Sequence, residues 1–316
     1  VLKALLIISG PTCSGKTEVA LTLLQKIRGE IISADSRQVY RGMDIGTAKV
    51  SAGIRRKFPH HLVDIVNPDQ VFSAAEFAKR ASSIIHTLQK KDFLPLMVGG
   101  SGLYIKAVID GLFSGPGADP ELRESLRKQA QKKGKETLYL RLKKVDPEAA
   151  QVIHPHDLVR ICRALEVYQI TGKPISFFQR QSVRPLSHAI MIGLRLPRHQ
   201  LYRNIDSRVD RMVEQGLVSE VKALFHQGYR EDLPAMQGVG YRQVINYLEG
   251  RYSLEEVIRL IKRDTRRLAK RQLNWFNQDE RIIWLNRDEF SSVEELAEEI
   301  VRISLKKLPQ LSGVLR

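Results

Sequence analysis

Cysteine is nearly absent from this 316-residue chain: Cys13 and Cys162 are its only two, and neither has a CxxC neighbour. That excludes a disulfide-stapled scaffold and a cysteine-built zinc site, and it suits a reducing compartment, the cytoplasm. No apolar run approaches the ~20 residues that a membrane span needs, so no membrane partner is expected. The first residues read as a core strand running into a functional loop, unlike a removable signal peptide. Internal repeats and low-complexity tracts are also missing. Acid is short as well: 35 Asp and Glu stand against 51 Lys and Arg, a net charge of +16. Such an excess goes beyond what solubility requires and points to a polyanionic partner.

What is present is an ordinary apolar share, 43%, enough to bury a full core in two domains or in one with a large insertion. The basic excess is uneven. Residues 121–195 carry 15 basic against 7 acidic side chains, +8, whereas residues 1–120 and 196–316 carry +5 and +3. A solvated helical surface is the plainer explanation of that middle segment, and nucleic-acid binding the sharper one.

The strongest local signal is Gly10-Pro11-Thr12-Cys13-Ser14-Gly15-Lys16-Thr17, a complete GxxxxGK[ST] loop. A buried strand precedes it (Leu5–Ser9) and a helix-forming stretch follows (Glu18–Ile27), the context that the motif requires. Backbone N–H groups of such a loop, with the positive end of the next helix, cradle a di- or triphosphate. Lys16 adds a positive charge, and Thr17 can hold magnesium through its hydroxyl.

Strand and helix signals alternate through the first 110 residues: after the loop come Glu30–Ala34 (strand), Ala74–Lys90 (helix) and Phe93–Val98 (strand). This predicts an α/β fold, a P-loop-type parallel sheet with flanking helices. Ligands of such sheets bind beyond the carboxyl ends of the strands. There the phosphate loop, Asp35-Ser36-Arg37-Gln38-Val39-Tyr40 and Gly99-Gly100-Ser101-Gly102 should meet at one rim. The turn-rich stretch from Ser114 to Pro120 predicts a boundary, followed by helices over Pro120–Lys133, Lys135–Val145, Pro147–Ile153 and Asp157–Thr171. A strand over Ala189–Leu196 returns to the sheet, and Arg281–Leu285 is a late strand. The predicted organisation is a first core part (1–119), a helical basic insertion domain (120–195) and a second core part (196–316).

A P-loop suggests ATP or GTP binding by default, but a nucleotide hydrolase normally ends a neighbouring strand in a carboxylate that holds magnesium. Here the third strand ends Met97-Val98-Gly99-Gly100, without an acid. The second instead ends in Asp35, which could act as general base towards a bound nucleophile or simply cap its turn. His60-His61 precedes a strand-like Leu62–Val66, with one ring packed and the other hydrogen-bonded. His154-Pro155-His156-Asp157 lacks the further ligands of a metal site. Tyr40, Tyr104 and Tyr241 could stack a base or fill the core. Over Glu255–Phe276, Arg259, Lys262, Arg263, Arg266, Arg267, Lys270 and Arg271 form a basic stripe, with Ile258, Ile261, Leu268 and Trp275 on the apolar side. Asp264 is the only acid between residues 259 and 271, so the stripe is expected to repel itself unless nucleic-acid phosphate neutralises it.

Taken together, GPTCSGKT, DSRQVY, Gly46-Thr47-Ala48-Lys49, Pro59-His60-His61-Leu62-Val63-Asp64 and VGGSGLY resemble the tRNA dimethylallyltransferases (tRNA isopentenyltransferases). So do Arg160-Ile161-Cys162-Arg163-Ala164-Leu165-Glu166, Gly238-Val239-Gly240-Tyr241-Arg242 and Ala269-Lys270-Arg271-Gln272, in order along nearly the whole chain. The likeness is to the bacterial type, without the zinc finger of eukaryotic members. It implies transfer of a dimethylallyl group from dimethylallyl diphosphate to the exocyclic amine of the adenosine 3′ of the tRNA anticodon. By this resemblance the loop from Gly10 to Thr17 holds the diphosphate, Asp35 accepts the amine proton, and Lys16 and magnesium on Thr17 steady the leaving group. Ser101, where the family often has Thr, reaches a phosphate or the bridging oxygen. The tRNA anticodon stem-loop is implied to meet Asp35, Ser36, Arg37, Gln38, Ser101, Arg123, Val159, Arg160, Ile161, Cys162, Arg163, Gln237, Gly238, Gly240, Tyr241 and Arg242. Two departures stand out: Cys13 replaces a small residue such as Ala, and Asn204 stands where an Arg is common, with Arg208 retained.

A small-molecule kinase, a prenyltransferase acting on free adenine nucleotides and a non-catalytic RNA-binding module are the competing functions. The kinase and the free-nucleotide enzyme need no basic insertion, and the binding module leaves Asp35 unexplained. A monomer is expected, because one chain supplies the whole site.

Overall fold

The apolar runs pair side by side in a computed structural model of the chain, which describes residues 4–113, 115–180 and 188–316. The chain divides into two compact units, Val1–Ile109 with Leu186–Arg316, and Asp110–Pro185. In the first unit the chain runs β1 (Leu5–Ser9), α1 (Lys16–Lys26), β2 (Gly29–Ser33), α2 (Ala52–Lys57), β3 (His60–His61), α3 (Ala74–Lys90), β4 (Leu94–Gly99) and α4 (Gly102–Ile109). The second unit holds α5 (Pro120–Lys133), α6 (Lys135–Val145), α7 (Pro147–Val152), α8 (Leu158–Thr171) and α9 (Ile175–Arg180). The first unit resumes with β5 (Ala189–Arg195), α10 (Arg198–Glu214), α11 (Leu217–His226), α12 (Tyr241–Leu248), α13 (Leu254–Phe276), β6 (Ile282–Asn286) and α14 (Val293–Lys307).

The six strands form one parallel sheet in the order β3-β2-β4-β1-β5-β6. Side chains of a strand alternate between faces, and both faces here are covered, so β1 is apolar throughout. Leu5 and Ile7 join a core with Phe77, Tyr241 and Ile261, while Leu6 and Ile8 join another with Val19, Leu23, Leu296 and Ile300. The register Ser9↔Gly99 and Ser9↔Gly193 aligns the carboxyl ends of β4, β1 and β5, so the segments that leave them share one rim. Gly99 is required there: a Cβ at this position would lie 2.1 Å from the Ala34 carbonyl oxygen.

The five helices of the second unit pack around Leu126, Leu138, Leu142, Ile161 and Leu165. Asp119 caps α5 by accepting the Leu122 N–H (2.9 Å), and Pro120 occupies the first turn. The compact unit starts at Asp110 and ends at Pro185, so both predicted limits of the insertion (120 and 195) fall ten residues late. The reason at the far end is that β5 pairs with β1 and so belongs to the sheet. Ser114, the first residue of the predicted break, and residues 181–187 of the predicted insertion lie outside the described residues. The strand predicted over Leu62–Val66 does not form. His60 and His61 take the edge position against Ile31 and Ile32, and Leu62 (φ 62°) and Asp64 (φ 57°) turn the chain away. Asp64 is drawn aside by Lys49 (2.5 Å) and Arg55 (2.6 Å).

Glu166 is the electrostatic centre of the helical unit. Fully buried, it accepts hydrogen bonds from the Asp119 N–H (2.7 Å), from Arg123 (2.9 and 3.0 Å) and from Arg163 (2.5 Å). Burial alone would raise its carboxyl, but the two guanidinium groups outweigh burial and hold it below the usual range. Glu166→Gln should therefore destabilise the helical unit by about 2–3 kcal/mol, the scale of hydrogen bonds to a charged group. Urea unfolding followed at neutral pH and in acid checks this. Because the folded carboxyl is depressed, the difference from wild type is full above the ordinary Glu value of about 4.5 and closes as the pH falls through the lower folded value.

Candidate active site

The turn between β1 and α1 carries Gly10 (φ 138°), Cys13 (φ 64°) and Gly15 (φ 88°) in conformations that curl the backbone into a nest. Thr12, Cys13, Gly15, Lys16 and Thr17 line a cavity of about 630 Å³ above the sheet. Gly10, Pro11 and Ser14 of the same turn are buried. A Cβ on Gly10 would meet the Leu194 carbonyl at 2.4 Å, which seats the loop on β5.

Asp35 and Gln38 line the same cavity, as do Gly99 and Gly100 at the end of β4. Both roles weighed for Asp35 are visible: Oδ1 accepts the Arg37 N–H (2.8 Å), capping the turn, and Oδ2 has no protein partner among the described residues. The hydroxyl of Ser101 accepts the Ser36 N–H (2.9 Å), so Ser101 joins the rim through the Asp35 turn. Gln38 receives the Ser33 hydroxyl (2.9 Å) and donates to the Thr47 carbonyl (3.2 Å). Arg37 reaches the carbonyls of Pro234 (2.5 Å) and Ala235 (3.3 Å), tying the rim to the segment that leads to Gln237 and Gly238.

Three residues that composition did not single out complete the wall. Gln272 of α13 accepts the Thr12 N–H through Oε1 (2.8 Å) and donates from Nε2 to the Gly100 carbonyl (3.1 Å). It is a crossbar between the phosphate loop and the β4 rim. Arg208 donates to the Thr12 hydroxyl (3.1 Å), and Asn204 to the Cys13 carbonyl (3.4 Å). Asn204, Ser207, Arg208 and Arg211 all face the cavity from α10, while Leu201, Ile205, Val209 and Met212 bury its other face. That three- and four-residue spacing of polar groups was the signal available in the sequence. Asn204 thus keeps contact with the phosphate loop, where an Arg is common. His60 also lines the cavity: Nδ1 donates to the Phe58 carbonyl (2.6 Å), Nε2 is unpartnered among the described residues, and burial lowers its pKa.

Several residues expected to touch a polyanion sit elsewhere. Tyr241 is buried, packs against Gly46 and donates to Glu220 (2.6 Å); burial and Glu220 both raise its pKa. Glu220 in turn accepts the N–H groups of Asp44 (2.9 Å), Ile45 (2.7 Å) and Gly46 (3.1 Å), so this pair shapes the Gly46–Thr47 wall. Of the two parts open to Tyr241, stacking a base or filling the core, its side chain takes the second. Gly238 and Gly240 are buried, whereas Gln237 and Arg242 are exposed. Gln237 donates to the Glu231 carbonyl, and Arg242 approaches Asp264 (3.4 Å). In the helical unit the side chains of Ile161 and Cys162 pack into its core. Arg123 and Arg163 serve Glu166, and Val159 and Arg160 are exposed on the first turn of α8. The basic stripe of α13 is also less bare than its own helix suggests: Lys262 pairs with Asp210 (2.6 Å) and Arg266 with Asp206, both from α10.

No group of three or more His, Cys, Asp and Glu side chains could hold a metal among the described residues. Among the donors that line the cavity, the Thr17 hydroxyl and the carboxylates of Glu18 and Asp35 are hard oxygens of the kind a magnesium ion takes, with its other ligands from phosphate and water.

A sequence model described as IPP transferase matches residues 38–279. The chain is 50% identical to tRNA dimethylallyltransferase 2 of Geotalea uraniireducens over 89% of its length and 91% of that protein's. It is 47% identical to the tRNA dimethylallyltransferase of Pelotomaculum thermopropionicum, covering 94% and 95% of the two chains. The crystal structure of full-length tRNA isopentenylpyrophosphate transferase from Bacillus halodurans superposes with a TM-score of 0.73 at 40% identity, covering 98% of each chain. A eukaryotic dimethylallyltransferase acting on tRNA gives a TM-score of 0.76 at 26% identity, over 98% of this chain and 78% of that one. The expected fold class stands: a six-stranded parallel sheet with flanking helices, of the P-loop type.

Within the phosphate loop, Lys16 Nζ donates to the Pro11 carbonyl (2.5 Å). Burial, then Arg208, lowers its pKa to about 8, against the weaker pull of Cys13 and Asp35. An organic diphosphate favours the charged form, so binding above pH 8 must take up a proton. Calorimetry at pH 8.5–9 in buffers of different ionisation enthalpy should show uptake of about one proton, lost in Lys16→Met. Affinity should stay flat below pH 8 and fall above it; binding without proton uptake would contradict this. Gln272→Ala should weaken the diphosphate roughly tenfold, one or two hydrogen bonds' worth, while Gln272→Glu should weaken it further by placing a like charge at the loop. Equilibrium binding measures both.

Proposed function

The chain belongs to the IPP transferase family, and from that premise and the cavity's chemistry we propose that it transfers a dimethylallyl group to tRNA. The donor is dimethylallyl diphosphate, and the acceptor is the exocyclic amine of the adenosine adjoining the 3′ side of the anticodon. The observation that carries this reading is that Asp35 and the phosphate loop line one cavity whose neighbouring strand ends in glycine.

The diphosphate lies on the loop N–H groups, with Lys16 and Arg208 around it. A target base must leave its stack to enter such a cavity, which costs less in a single-stranded loop than in a duplex. The amine lone pair is delocalised into the purine, so it needs orientation and loss of a proton as it attacks. Asp35 has one oxygen fixed by the Arg37 N–H and the other free towards the cavity; that free oxygen accepts the proton. The new bond joins the amine nitrogen to the allylic carbon, and the carbon–oxygen bond to diphosphate breaks. Lys16, Arg208 and the loop amides stabilise the charge that gathers on the departing diphosphate. Thr17 and the phosphate oxygens would hold magnesium, which when bound adds charge neutralisation to the leaving group.

Exposed cations and amides at Arg160, Gln237 and Arg242 offer phosphate contacts to the anticodon stem-loop. One chain supplies every group used, which suits a monomer. The described residues include no helix long and apolar enough to cross a membrane.

Incubating the protein with magnesium, labelled dimethylallyl diphosphate and unmodified tRNA should label one adenosine beside the anticodon. Label on AMP or ATP with none on tRNA would replace this reading with a free-nucleotide prenyltransferase. Asp35→Asn should lower the single-turnover rate by about 10²–10⁴, the range of general-base catalysis, with tRNA affinity nearly unchanged. An unaltered rate would remove Asp35 from the base role.

A further inference from the structure

We propose that the exposed face of Trp275, at the lip of the cavity, is a stacking platform for an unpaired RNA base next to the target adenosine. This rests on the tRNA-modifying function above. The pattern of α13 places Trp275 with the apolar residues, and Val257, Leu260, Ile261 and Phe276 are indeed buried. Trp275 is not: it stays 36% exposed.

Its position is set by Gly102. A Cβ there would lie 2.1 Å from Cδ1 and 2.2 Å from Nε1 of the indole, so the pyrrole edge rests on this backbone and only glycine admits it. Gly102 follows Ser101, whose hydroxyl is bonded to the Asp35 turn at Ser36. Along its own helix, Trp275 stands three residues, about one turn, beyond Gln272, which lies in the cavity wall. The ring is therefore one residue from the rim on one side and one turn from the phosphate loop's crossbar on the other. Leu103, adjoining Gly102, is 49% exposed.

The charge around the ring selects the partner. Lys262 and Arg266 are neutralised by α10, and Arg263 and Arg267 lean on Asp264. Lys270 and Arg271 are exposed and make no ion pair among the described residues. Arg271 precedes Trp275 by four residues and so shares its side of the helix. An aromatic face beside an unpaired guanidinium matches a base with its phosphate. An acidic peptide would use the cations but leave the ring idle, and a duplex hides its base faces. The occupant is thus a single-stranded nucleotide flanking the extruded adenosine.

The chain has two tryptophans, so Trp284→Phe leaves Trp275 as the sole indole reporter. Titrating this protein with an unmodified anticodon stem-loop should quench its fluorescence at the concentrations at which filter binding saturates. An abasic nucleotide beside the target adenosine should abolish the quench while the RNA still binds. Trp275→Leu should raise KM for tRNA roughly tenfold, with KM for dimethylallyl diphosphate and kcat unchanged, whereas Trp275→Phe should stay within about threefold of wild type. Unquenched fluorescence with RNA bound, or an unaltered KM in Trp275→Leu, would overturn the platform while leaving the transfer reaction standing. Failure of the wild-type protein to label tRNA would instead remove the reaction, which the fluorescence titration does not assume.

Discussion

Crowded positive charge at the phosphate loop is the constraint on which the site depends. Loop N–H groups, Lys16, Arg208 and Arg211 converge on one cavity, with Asp35 and Glu18 as the acids in its wall. Burial first, and then the like charge of Arg208, loosen the proton of Lys16 to about pH 8. The arrangement becomes favourable when a diphosphate enters and takes up the field. The free protein is thus electrostatically incomplete, and its best ligand is an anion that can touch both the loop and α10.

Such a loop cannot hold its own shape, and most of its bracing comes from distant sequence. Gln272, Arg208 and Asn204 reach Thr12 and Cys13 across 260, 196 and 191 residues. The Gly46–Thr47 wall is held in the same way by Glu220 and Tyr241. The long second half of the core therefore serves the site as buttress. It also explains why the cavity has walls of several kinds: the loop gives amides, β4 gives close-packed glycine, and α10 and α13 give cations and amides.

This division also sets what can be read in one dimension. Helices with a local cap and a regular apolar face, such as Ala74–Lys90 behind Ser73 and Pro120–Lys133 behind Asp119, have the limits that their residues predict. The phosphate loop and Asp35 were legible because strand-end geometry brings successive carboxyl ends to one rim. The partners of Tyr241 and of the α13 stripe were not, because Glu220, Asp206 and Asp210 come from other helices. A cation looks unpaired in sequence when its acid lies 52 residues away, as for Lys262 and Asp210. Cys162 shows the converse: a residue inside a recognisable motif also packs in the core, here that of the helical unit.

The absence of a strand-end acid on β4 then acquires a steric cause. At Gly99 any side chain would strike the Ala34 carbonyl, and at Gly100 a Cβ would fall 2.3 Å from the Gln272 amide. The two positions where a nucleotide hydrolase could place its metal-binding carboxylate are thus filled by backbone and by the crossbar. An acid at Gly99 would require the Ala34 backbone to shift, and one at Gly100 would displace the Gln272 side chain from its crossbar position. The carboxylate is displaced instead to Asp35 at the end of β2, where it faces the cavity from beside the phosphate loop. A carboxylate so placed is suited to receiving a proton from a second substrate. In the proposed reaction the loop holds phosphate, and the change of partner acid suits that phosphate to leave as diphosphate.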